Sequence, residues 1–139
     1  MKKIKAFFKS LYLKLFKIDD SPQKVALGFG LGVFLGIFPG TGPIAALFLS
    51  LLLRVNRPAS LIGCLLTNTW ISFVAFILAI KCGALLFGMH WQDIRNAPIK
   101  FIFPVAMGYV LIGLVFGFIA YLATLFLIKY FKGRKHADK

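Results

Sequence analysis

Phe38-Pro39-Gly40-Thr41-Gly42-Pro43 interrupts an apolar run that extends from Val25 to Leu53. Two prolines and two glycines within five residues cannot continue one regular helix, because proline lacks the amide proton and its ring clashes with the preceding turn. The run therefore divides into two half-helices. Each has about 11 to 14 residues, or roughly 16 to 21 Å at 1.5 Å per residue, against a hydrocarbon core of about 30 Å. Neither half spans a bilayer alone. Two arrangements fit: one broken transmembrane helix, or a re-entrant hairpin that enters and leaves on the same face.

The charge distribution chooses between them. The chain has 139 residues, 60% hydrophobic and 16% aromatic, with 17 Lys and Arg against four acids, all Asp, and a formal net charge of +13. If residues 25–53 re-enter, 14 cations share one face and Lys81, Arg95 and Lys100 lie opposite. If the run spans, the split falls to ten against seven. The excess of Lys and Arg on cytoplasmic segments favours the re-entrant hairpin, with both termini in the cytoplasm.

Working outward, residues 1–20 place Ile4, Phe7, Phe8, Leu11, Leu15 and Ile18 on one helical face and most of the lysines on the other. This is the pattern of a basic amphipathic helix lying in the membrane interface. Asp20-Ser21-Pro22, Asn56-Arg57-Pro58 and Asn96-Ala97-Pro98 each read as a helix start, with a capping side chain and proline in the first turn. Residues 59–80 and 101–128 are long enough to span. Between them, residues 81–100 read as an interfacial loop or short helix, with Trp91 as its anchor.

The expected fold is thus all-α and integral to the membrane: an interfacial helix over 1–20, a membrane domain over 21–128, and a basic cytoplasmic tail over 129–139. The membrane domain comprises a re-entrant hairpin at 25–53 and two full transmembrane helices. Charges make up only 15% of the chain and sit in the gaps between long apolar runs, so neither a soluble domain nor a nucleic-acid-binding surface fits. The basic start is broken by Lys9, Lys14 and Lys17 and leads to no cleavage site, so no secretory signal is expected.

A break at membrane depth has to find partners for its backbone. The half-helix beginning at Pro43 presents the free amides of Ile44, Ala45 and Ala46 and the positive end of its dipole. Pro39, Gly40, Thr41 and Gly42 let a ligand approach the backbone, and Thr41 adds a hydroxyl. Such an end favours a phosphate or carboxylate, hence an anionic lipid head group. Asn68 and Thr69, with Thr67 and Ser72 beside them, lie about 15 Å into the next helix and meet the turn at similar depth. They either tie down its backbone or line a polar pocket with it.

Gly28, Gly32 and Gly36, with Gly40 beyond, recur every fourth residue, and Gly113 and Gly117 repeat the interval. Both sets mark close helix packing, within the chain, in a homo-oligomer or against another membrane protein. Cys64 and Cys82 read as small buried apolar residues, and His90 with Asp93 is too few ligands for a metal. No nucleophile and base pair, Walker loop or dinucleotide fingerprint occurs, so neither enzyme nor cofactor is expected. The reading is of a non-enzymatic membrane module that binds, and helps translocate, an anionic lipid or lipid-linked phosphate. The alternative is a structural or accessory subunit of a larger membrane complex.

Ser21-Pro22 through Ala26-Leu27-Gly28, Gly32-Val33-Phe34-Leu35-Gly36, Phe38-Pro39, Gly42, Arg54-Val55-Asn56 and Asn68 together resemble an uncharacterised prokaryotic membrane family, domain of unknown function 2062. The resemblance covers most of residues 21 to about 88. It implies a bacterial inner-membrane location and adds no activity.

Overall fold

The computed structural model describes residues 3, 6, 21–38, 40, 42–67 and 70–137. The interfacial helix expected over 1–20 lies outside them, apart from Lys3 and Ala6, which are helical. The described chain forms α1 (Pro22–Gly36), α2 (Gly42–Leu52), α3 (Arg57–Thr67), α4 (Trp70–Phe87), α5 (Trp91–Asn96), a 3₁₀ turn (Pro98–Phe101) and α6 (Ile102–Ala137).

Two of the helix starts carry side-chain caps. Ser21 is extended (φ −60°, ψ 148°), and its hydroxyl accepts the Lys24 amide at 3.4 Å, with Pro22 opening the first turn. Asn56 is buried, and its Oδ1 accepts the Ala59 amide at 2.8 Å. The third proline, Pro98, opens the 3₁₀ turn that leads into α6.

The chain direction follows from which residues touch. A side chain at Gly28 would strike the Asn56 backbone, at Gly32 that of Ser60, and at Gly36 that of Cys64, so α1 and α3 run parallel. Gly63 answers from α3 against the Phe29 backbone. Between them α2 runs the other way: Gly42 lies beside Cys64, while the Ser60 hydroxyl donates to the Ala46 carbonyl at 3.3 Å. The Asn56 amide donates to the Lys24 carbonyl at 3.3 Å. The chain has therefore returned by Asn56 to the level where α1 begins.

Helix α6 forms the long side of the structure. Its first half runs antiparallel to α4, with Gly108 against Ala79 and Gly83 against Pro104. Its second half runs antiparallel to α1, with Gly113 against Phe34 and Gly117 against Gly30. Its 36 residues measure about 54 Å at 1.5 Å each, whereas the 15 of α1 measure about 22 Å. Two clusters fill the seams. Val25, Ala59 and Ile128 close the end where α1 starts, and Ile37, Ala75, Ala79 and Tyr109 lie near its far end.

The packing is inverted relative to a water-soluble core. Ala26, Ala46, Ala59, Ala75 and Ala79 are fully buried, whereas Phe48, Trp70, Phe73, Leu85, Phe118 and Phe126 face outward. Two helical stretches, Trp70–Phe87 and Pro98–Gly133, are long and apolar enough to cross a membrane, and only 17% of each spanning window is buried. A core helix of a soluble protein is mostly buried.

Three boundaries move. The span expected at 59–80 falls across α3 and α4, and α4 runs on to Phe87, so Lys81 and Cys82 are helical. What stops α4 is Gly88: at φ +61° it takes the left-handed conformation, and the Met89 amide reaches back to Ala84 at 2.9 Å. The expected loop at 81–100 therefore shortens to α5, the 3₁₀ turn and their links. At the other end, α6 continues through the basic tail to Ala137, because nothing between Ile128 and Ala137 stops a helix.

Candidate functional site

The turn between α1 and α2 is built from two unlike helix ends. At the carbonyl end of α1, the Ser72 hydroxyl from α4 donates to Gly36 at 2.9 Å and stands 3.4 Å from the Ile37 carbonyl. It also lies 3.2 Å from the Thr67 carbonyl. Thr67 is spent locally, its hydroxyl donating to the Gly63 and Cys64 carbonyls of its own helix. Polar side chains near the turn thus satisfy backbone rather than face a void. Among the described residues no buried side-chain nitrogen or oxygen lacks a partner.

The amide end of α2 differs. Gly40 is exposed, holds φ +91°, and has nothing within 4 Å of where a side chain would begin. Gly42 is buried, its Cβ position 3.0 Å from Cys64 Sγ and 3.1 Å from the Leu35 carbonyl. Pro43 and Ala45 are half-buried, and Ile44 is 78% exposed. The first-turn amides of α2, as in any helix, have no partner within it. Pro39, Thr41, Asn68 and Thr69 lie outside the described residues.

Three apolar depressions mark the surface, the second of them bordering this turn through Phe38. One, of about 690 Å³, lies between α1, α6 and the link from α2 to α3, with Leu27, Leu31, Leu53, Val55, Leu114 and Tyr121 among its walls. A second, of about 490 Å³, lies between α4 and α6 and includes Phe38, Phe76, Phe101 and Tyr109. The third, of about 470 Å³, lies at the far end of α4 and includes Lys81, Met89 and His90.

The profile of a family described as "Uncharacterized protein conserved in bacteria (DUF2062)" matches residues 5–137. The chain belongs to the DUF2062 family. No curated protein and no solved structure matches it.

In this DUF2062 protein the glycines singled out by spacing divide their roles. Gly28, Gly32 and Gly36 meet α3, Gly113 and Gly117 meet α1, and Gly40 meets nothing. Among the described residues no three His, Cys, Asp or Glu side chains come together. Asp93 accepts the His90 backbone amide at 3.0 Å, an acid capping the start of α5. One residue was missed from the sequence. Arg54 sits at φ +53°, and it is the single non-glycine residue with positive φ among those described. The sequence carries no signal for it, since glycine usually takes the left-handed position after a helix and none follows Leu52.

Proposed function

We propose that this protein resides in the bacterial inner membrane and binds the phosphate of an anionic lipid at the α1–α2 turn, without catalysing a reaction. In this reading α3 continued by α4, and α6, span the bilayer, α1 and α2 form a re-entrant hairpin, and both termini are cytoplasmic. The inverted packing, with alanine and glycine inside and large apolar side chains outside, supports a lipid surround. The return of the chain to Lys24 at Asn56 supports re-entry.

One observation carries the site. Ser72 occupies the carbonyl end of the turn, whereas exposed Gly40 leaves open space beside the amide end of α2. An amide end with its dipole favours an anion, and in a low-dielectric surround that preference strengthens. A site at part depth, between two spans, also suits a head group in passage between leaflets.

Gly40→Asp against Gly40→Asn tests this. The space at Gly40 admits either side chain, and both residues tolerate positive φ better than most. The aspartate would place its own carboxylate at the amide end. Lipids co-purifying with each variant are counted by mass spectrometry: wild type and Gly40→Asn carry one more anionic lipid per chain than Gly40→Asp does. Equal retention by both variants would exclude the turn, and a stoichiometric protein partner without specific lipid would favour an accessory subunit.

A further inference from the structure

Arg54 follows the last turn of α2 in the left-handed conformation, φ +53°. The Val55 amide bonds the Ser50 carbonyl at 3.1 Å and the Arg54 amide bonds Leu51 at 3.3 Å, the paired bonds that glycine usually makes at a helix C-terminus. Glycine takes this conformation freely and an arginine does not. The backbone therefore supplies no reason for this side chain. Its two chain neighbours, Leu53 and Val55, supply one: both line the 690 Å³ groove whose other walls include Leu27, Leu31 and Tyr121.

Charge identifies the occupant. Arg54 is exposed and stands in the chain between two wall residues, Leu53 and Val55, and Lys24 stands one helical turn before Leu27 on α1. Arg57 and Lys129 belong to the same end, since Asn56 bonds Lys24 and Ile128 packs on Val25 and Ala59. Among the described residues Asp93 is the only acid, and it lies beyond the far end of α4. From Leu27 to Phe34 the groove follows α1 for about 10 Å at 1.5 Å per residue. Its apolar walls suit a hydrocarbon chain, and the arginine between Leu53 and Val55 supplies a cation for a head group. Guanidinium matches phosphate in a two-point hydrogen-bonded fork.

We infer that this groove holds an acyl chain of an anionic phospholipid whose phosphate is taken by Arg54. The inference rests on the membrane reading but not on the α1–α2 turn. Whether the chain sediments with membranes, measured before solubilisation, tests that reading separately.

Arg54→Gly is the decisive variant, because it removes the cation and relieves the backbone in one change. The full chain in mild detergent is titrated with phosphatidylglycerol, and with phosphatidylcholine of the same acyl chains, and bound lipid is counted by native mass spectrometry. Wild type retains phosphatidylglycerol in preference to phosphatidylcholine. Arg54→Gly binds it about tenfold more weakly, with an unchanged or raised thermal midpoint. Arg57→Gln, which removes a neighbouring cation that does not flank the groove, leaves this lipid in place. Wild-type retention by Arg54→Gly, equal binding of the two lipids, or an equal loss in Arg57→Gln would overturn the assignment.

Discussion

The Ser72 hydroxyl donates to the Gly36 carbonyl across 2.9 Å, so one helix closes the end of another 36 residues earlier. A carbonyl at the end of α1 has no partner within its helix, and with α1 inside a bilayer, as proposed, no water replaces one. Ser72→Ala should therefore lower stability by about 1 to 3 kcal/mol, the usual cost of leaving a buried polar group unpaired. Unfolding of the purified protein in mixed detergent measures it. An unchanged midpoint would show that the Gly36 carbonyl finds a second donor.

The glycines of α1 make a sharper prediction. A methyl group at Gly32 would enter the space of the Ser60 backbone, which cannot rotate away as a side chain can. Overpacking usually costs about 1 to 3 kcal/mol and occasionally more, and Gly32→Ala belongs at the upper end. Gly133→Ala, with nothing within 4 Å, should change little and is the matched control. Similar midpoints for the two variants would mean that α1 and α3 are not packed backbone to backbone.

Much of this arrangement was legible because it depends on local chemistry. The turn after Phe38 shows in its prolines and glycines, and the start of α3 shows in Asn56 ahead of Pro58. The fourfold spacing of Gly28, Gly32 and Gly36 announced close packing, though not that the face would meet a parallel α3 in the same chain. The end of α4 was missed because Lys81 suggests a boundary to hydropathy, whereas the helix stops chemically at Gly88. Arg54 was missed for the converse reason. Its conformation is set by the paired bonds to Ser50 and Leu51, and no side chain in that stretch advertises it.

Asn56 offers a test of the capping reading. Only 1% of the residue is exposed, and its Oδ1 takes the Ala59 amide while its own amide bonds Lys24. Asn56→Ala should cost about 0.5 to 2 kcal/mol for the cap, with the larger figure favoured by burial. Asn56→Ser, which keeps an acceptor at the cap, should recover part of it. Equal loss in both variants would locate the contribution of Asn56 elsewhere than in its bond to Ala59.

The orientation of the chain can be settled by labelling, provided the sites are chosen by exposure. Asn56 marks the link between α2 and α3 but is buried, whereas Arg57 beside it is exposed, as are Gln92 in α5 and Gly133 in α6. In a background with Cys64 and Cys82 replaced by alanine, cysteines at Arg57 and Gly133 should react with an impermeant maleimide only after the cytoplasmic face is opened. A cysteine at Gln92 should react from outside in intact spheroplasts. The geometry ties the first two together: Asn56 bonds Lys24, and Ile128, just ahead of the basic end of α6, packs on Val25. If Arg57→Cys instead reacts from outside while Gly133→Cys does not, α1 and α2 together cross the bilayer. The turn would then join two halves of one span rather than cap a re-entrant hairpin, and the lipid-phosphate reading of Gly40 to Ala45 would fail with it.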